Sequence, residues 1–145
     1  MDIKNRIIKI LDSTHLMSLA TSDDGGLWVA DVIFIFDEKF NIYWMSDPDA
    51  RHSKAVFQNN KAAGTITFTT KSKEPNFGIQ FSGLAEKIEG PRYDLAIKHL
   101  QKRGYPTPKE NDDVLQGDSW YTLKPSKIEL IDEENFGYDK KVFDL

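Results

Sequence analysis

The segment "HLMSLATSDDGGLWVADVIFIFDEKFNIYWMS", residues 15 to 46, strings three β-rich runs together with gaps of three or four residues. Valine, isoleucine and aromatic residues fill the runs, while Asp, Gly and Lys fill the gaps, the pattern of strands joined by tight turns. A parallel crossover needs a dozen or more residues, so these runs must form an antiparallel meander. Two later runs, "AAGTITFTT" and "FGIQFSGLAEKIE", read as another hairpin pair, with Gly83 marking a bulge or bend in the longer one. "SWYTLKP" and "KIELID" add two more strands. A sheet of about six to seven mostly antiparallel strands has to hide its edges, which predicts a mainly β fold, a closed or partly closed barrel.

Helices punctuate this sheet. Ile3, Ile7, Ile10 and Leu11 recur at helical spacing, predicting an amphipathic helix over 2–12 that lies on the core. A second helix is expected over 48–59, opened by Asp47 as cap and Pro48 in the first turn. A third follows Pro91, with Tyr93, Ala96, Ile97 and Leu100 on one face and Gly104 at its end. Residues 105–117, "YPTPKENDDVLQG", form one long polar loop, and "EENFGYDKKVFDL" an aromatic, basic tail.

At 145 residues the chain is read as one domain, 1–145, large enough to bury a core without metals or disulfides. The absence of cysteine excludes disulfides, thiolate catalysis and cysteine-based metal sites. Three scattered histidines, His15, His52 and His99, make a histidine-rich metal centre improbable, so no metal is expected. A net charge of -4 argues against a dedicated nucleic-acid binder. No apolar stretch approaches the roughly 20 residues of a membrane span, and the charged, amphipathic start is unlike a secretory signal, so a cytoplasmic location is expected.

Against that acidic background, "MSDPDARHSKAV", residues 45–56, gathers Arg51, His52 and Lys54 at a helix start, where the macrodipole disfavours cations by about 0.3–1 kcal/mol. An anion would reverse the sign: free N–H groups, a guanidinium fork, an imidazole and the Ser46 hydroxyl would converge on one phosphate. The competing reading is a solvated surface on which Asp47 and Asp49 neutralise the cations. Glycine-rich phosphate loops are absent, so any phosphate here is held by side chains and a helix end. No nucleophile elbow or metalloprotease motif is present either, and the catalytic residues stay unassigned. His99, beside Lys98, reads as a surface residue.

The order of these motifs resembles the pyridoxamine 5'-phosphate oxidase-like, FMN-binding split-barrel family over nearly the whole chain: a "LAT" strand, a glycine turn, a long hairpin, a strand end with Ser followed by a basic pair, and a Q-x-x-G strand. "ARHSK", "GIQFSG" and "FGYDKK" resemble segments of a small bacterial branch of it. The resemblance implies FMN as cofactor, with its phosphate on Ser46, Arg51 and His52, Met45 alongside, and Lys54 supporting from the rim. His52 stands where most of the family has lysine, which makes that contact pH-sensitive. The flavin ring is expected along the second strand, on the backbone of Ala30, Asp31 and Val32. Asp31 shares a face with Leu27, Val29, Ile33 and Ile35, where a carboxylate needs partners, although an exposed strand edge would also explain it. Gln80 is a candidate for the ring's polar edge, or a plain outward-facing amide.

The family builds its pocket between two subunits, so a homodimer is implied, with Trp120, Phe136, Tyr138 and Lys140 as candidates to cover the ring from the partner chain. Three tryptophans and nine phenylalanines fit a subunit interface or a large core. The implied activity is flavin-dependent oxidation or reduction of a small molecule. The alternative is a non-catalytic carrier of FMN, haem or a deazaflavin in the same cleft. The chain lacks the arginine- and histidine-rich C-terminal signature of pyridoxamine phosphate oxidation itself.

Overall fold

The computed structural model describes residues 2–145. Asp2 caps the first helix, α1 (Ile3–Ser13), by accepting the Lys4 backbone N–H at 3.0 Å, and the helix lays Ile7, Ile10 and Leu11 on the core. The meander then appears as β1 (Leu16–Asp23), β2 (Gly26–Phe36) and β3 (Ile42–Ser46), all antiparallel. After α2 (Arg51–Gln58) come β4 (Lys61–Thr67) and β5 (Phe77–Ile88), then α3 (Tyr93–Lys102), β6 (Ser119–Asp132), the short α4 (Glu133–Phe136) and β7 (Lys141–Asp144). The strands lie in the order β3-β2-β1-β4-β5-β6-β7, and β6 also pairs with β3. That last pairing closes six strands into an antiparallel barrel, with β7 as a seventh strand on β6.

Period-two alternation sends Leu19, Phe34, Trp44, Tyr121 and Leu130 into the barrel, where the Trp44 and Tyr121 rings stack at 6.0 Å. Each such side chain contributes about 1.5–3 kcal/mol by leaving water. A second, smaller cluster lies outside the wall, where α3 packs Leu95 and Ala96 against Ile35 and Trp120.

The expected strands at "SWYTLKP" and "KIELID" are one strand, β6, running through Pro125. Pro125 faces Gly83 where the pairing shifts register and Ser126 is left over, and at such a bulge a residue without an N–H is tolerated. Gly83 is required there, since a Cβ on it would sit 2.1 Å from the Lys124 carbonyl oxygen. The second helix starts at Arg51 instead of residue 48. Asp47 accepts the Asp49 N–H at 2.9 Å and its carbonyl accepts that of Ala50, so Asp47 and Pro48 build a turn and cap nothing. Similarly, the Asp37 carboxylate gathers the N–H groups of Lys39 and Asn41 and the Tyr43 hydroxyl, which holds Phe40 in the turn and delays β3 to Ile42. No helix among the described residues is long and apolar enough to cross a membrane.

Candidate functional site

Three features meet at the start of α2. Its N-cap is Ala50, which offers no side-chain acceptor, and the first turn carries no acid, so the leading N–H groups are left without a protein cap. Ser46, buried at the end of β3, shares a 2.9 Å hydrogen bond with His52 Nε2. Burial pushes the His52 imidazole below its ordinary pKa, so near neutrality it is uncharged and trades one proton with the hydroxyl. Ser53, on the same turn, has a buried hydroxyl with no partner among the described residues.

Arg51 is already engaged. Its Nε and Nη2 donate to the two Asp23 oxygens at 3.1 and 3.2 Å, and its guanidinium lies 4.5 Å from the Trp28 ring centroid. The neutralising acid therefore comes from the β1–β2 hairpin, three-dimensionally close and 28 residues distant, not from Asp47 or Asp49. This ion pair is exposed on the guanidinium side, so solvent screens it and an incoming phosphate can compete with it. Lys54 is exposed one turn further on, beside a groove formed by Pro48 and Phe57.

Trp28 links this corner to the barrel's split. β3 pairs with β2 only at Phe34, Ile35 and Phe36, so between Leu27 and Ile33 one edge of β2 has no strand partner among the described residues. Ala30, Asp31 and Val32 all lie on that stretch. An unpaired edge presents backbone donors and acceptors that seek partners elsewhere. The outer face of β2 is also open: Leu27 is 82% and Val29 61% exposed. Asp31 is partnered by Ser18, whose hydroxyl donates to it at 2.8 Å. Cross-strand register carries this row on through Thr65 to Gln80, about 14 Å from Asp31 at the usual strand spacing. In the neighbouring row Val29 is followed by the small residues Ala20, Ala63 and Ser82. Gln80 faces outward and accepts from Lys140 Nζ at 3.0 Å.

Other expected site residues lie elsewhere. Met45 and Trp120 are paired across β3 and β6 but project to the α3 side, away from Ser46. Trp120 is 1% exposed, and its indole N–H donates to the Pro91 carbonyl at 2.8 Å, so it is enclosed in its own chain instead of reaching a partner. The tail likewise folds back: Lys141–Asp144 pairs with β6, Phe143 meets Phe40 edge-on at 5.6 Å, and Phe136 is half-buried on the core. Of the residues expected to cover the ring, Tyr138, 94% exposed, and Lys140 stay at the surface. His99 is the residue the sequence misplaced most, since it is 4% exposed beneath α3 against Trp120. Its helical position three residues beyond Ala96 was the available signal. No group of three His, Cys, Asp or Glu suited to a metal occurs among the described residues.

No family model matches the chain. It is 27% identical over 143 residues to a UPF0306 protein from Cronobacter sakazakii, covering 98% of this chain and 94% of that one. The UPF0306 protein YhbP of Escherichia coli O157:H7 is also 27% identical, with 98% and 92% covered. Among solved structures, a conserved hypothetical protein from Mycobacterium tuberculosis superposes with a TM-score of 0.79 at 14% identity, over 96% of this chain and 89% of that one. A protein assigned as a pyridoxamine 5'-phosphate oxidase from Listeria innocua gives 0.70 at 14% identity, over 90% and 98%. The haem storage protein HutZ from Vibrio cholerae gives 0.67 at 15% identity, over 99% and 95%. The fold is thus a split barrel shared with these solved structures, the fold that the sequence motifs imply.

Proposed function

We propose that this chain binds FMN, holding the phosphate at the start of α2 and the flavin ring along the unpaired edge of β2. The observation that carries the reading is the uncapped first turn of α2 with the Ser46–His52 pair set beside it. A phosphate there supplies the missing cap, accepts from backbone N–H groups and the Ser46 hydroxyl, and draws the Arg51 fork from Asp23. His52 fits with one condition: it must gain a proton to contribute full charge, so binding takes up protons. Along β2, the backbone of Ala30, Asp31 and Val32 is placed to pair with the polar edge of a flat ring. Bound flavin would supply two-electron chemistry, making the protein a flavin-dependent oxidoreductase on a small molecule.

The open face of β2 supports a homodimer that completes each site. Leu27 and Val29, large apolar groups side by side with a row of small residues, are a surface to cover, and a second barrel of the same chain would do so. A cytoplasmic flavoprotein dimer is the resulting picture. The likeness to HutZ supports a haem carrier as the second reading, but the corner offers phosphate ligands and no free imidazole, since His52 is committed to Ser46.

Titration of FMN into Ser46→Ala, Arg51→Ala, His52→Ala and Lys54→Ala variants tests the corner. Arg51→Ala is expected to weaken binding roughly 10-fold or more, His52→Ala and Ser46→Ala less, and Lys54→Ala least, because its charge is screened at the rim. Equal loss from Lys54→Ala and Arg51→Ala would move the phosphate further along the helix. Unchanged affinity in all four variants would place it elsewhere.

A further inference from the structure

A cavity of about 590 Å³ lies away from that corner. It lies outside the barrel wall, between β3, β6, α3 and the 105–118 loop, and its walls are Met45, Ala96, Leu100, Val114 and Trp120. Exposed Arg103, Tyr105, Asp112, Asp113 and Gln116 line its mouth, and His99 is the buried polar side chain among its walls. His99, 4% exposed, lines the cavity with its ring edge-on to Trp120 at 5.6 Å. A buried imidazole gains from a hydrogen-bond partner, and a ligand in the cavity can supply one. Burial first, and then the nearby charges of Arg103 and Lys102, push its pKa down to about 4, so at neutral pH the imidazole offers one donor and one acceptor.

The rim carries one more acid than base and so disfavours an anionic ligand. Asp112 and Asp113 accept the backbone N–H groups of Lys109 and Gln116 in their own turns, and the Arg103 guanidinium lies 4.9 Å from the Tyr105 ring centroid. Within that limit the floor chooses the ligand. The volume falls in the ordinary range for small-molecule sites, roughly 300–1,000 Å³, and accommodates two or three fused rings.

We propose that this cavity binds a neutral, planar aromatic molecule carrying a hydrogen-bonding edge such as a phenol or an amide, with its ring against Met45 and Trp120 and its polar edge on His99. The site shares no residue with Ser46, Arg51 and His52 and stands whether or not FMN binds there.

The probes are 2-naphthol and its apolar isostere 2-methylnaphthalene, titrated into the full chain and followed by tryptophan fluorescence, with the histidine ring nitrogens followed by 15N NMR. Expected are saturable binding of 2-naphthol, about 10-fold tighter than the isostere, and a shift of the His99 ring signals with the same midpoint. His99→Phe should bring the two probes to similar affinity. If that variant does not fold, the 15N titration of the native chain decides alone. Absence of saturable 2-naphthol binding up to millimolar concentration, equal affinity for both probes, or His99 signals that stay fixed during binding would each overturn the proposal.

Discussion

Replacing His99 with Gln removes a buried imidazole and should flatten the acid side of the stability profile. In the folded chain His99 titrates at about 4, chiefly because burial disfavours its charged form, against 6.5 when exposed. Between those values the unfolded chain binds the additional proton. Stability from this group is therefore complete above about pH 6.5 and is lost as the pH falls toward 4. Integrating the linkage from near pH 7.5 to near pH 5 gives a loss of about 2 kcal/mol from this residue alone. The carboxylates held low by partners, such as Asp132 beside Arg6 and Asp94 beside Arg92, titrate below 3.8 and fall outside this window. Burial also lowers His52, and its contribution is common to both proteins. Urea unfolding of the native chain and His99→Gln at the two pH values, read by tryptophan fluorescence, isolates the difference. If the variant loses as much stability as the native chain between them, His99 is not buried as a neutral ring, and the description of the α3 cavity fails with it.

Gly83→Ala should destabilise by several kcal/mol, beyond the about 1 kcal/mol of an ordinary substitution, because the added carbon meets the Lys124 backbone and not a movable side chain; thermal unfolding that shows less than about 1 kcal/mol would mean the bulge can relax. Asp23→Asn frees the Arg51 fork and should tighten FMN binding up to about 5-fold, the most an exposed ion pair of this type holds back; weaker binding in a calorimetric titration would show Asp23 orienting Arg51 productively. Light scattering of the FMN-loaded protein should give twice the 16.6 kDa chain mass, and Val29→Glu should shift it toward monomer; a monomer that retains FMN contradicts a shared site.

The barrel was legible because its determinants are local. Turn chemistry at "DDGG" and "DEK", β-branched runs and the Gly83 irregularity each specify a hairpin without reference to distant residues. What escaped depends on long-range partners. Arg51 finds Asp23 across 28 positions, and no spacing rule announces that. Asp47 has the right residue type for a helix cap, yet its carboxylate closes a turn two residues on, and both uses look alike in sequence. Pro125 reads as a strand end until the bulge opposite Gly83 is seen to tolerate it. Trp120 and His99 were legible as aromatic and titratable residues but not as neighbours, because α3 and β6 meet only after the barrel closes. Of the cluster at residues 46–52, Ser46 and His52 meet in a hydrogen bond at the start of α2, while the Arg51 side chain turns to Asp23.

The central claim is tested most directly by titrating FMN into the purified chain while following flavin absorbance and fluorescence, at pH values on either side of 6.5. The account predicts saturation at about one FMN per chain, micromolar affinity or better, and tighter binding as the pH falls through the range in which His52 takes up its proton. Failure to bind FMN at micromolar concentration, or preferential uptake of haem by the same protein, would contradict it.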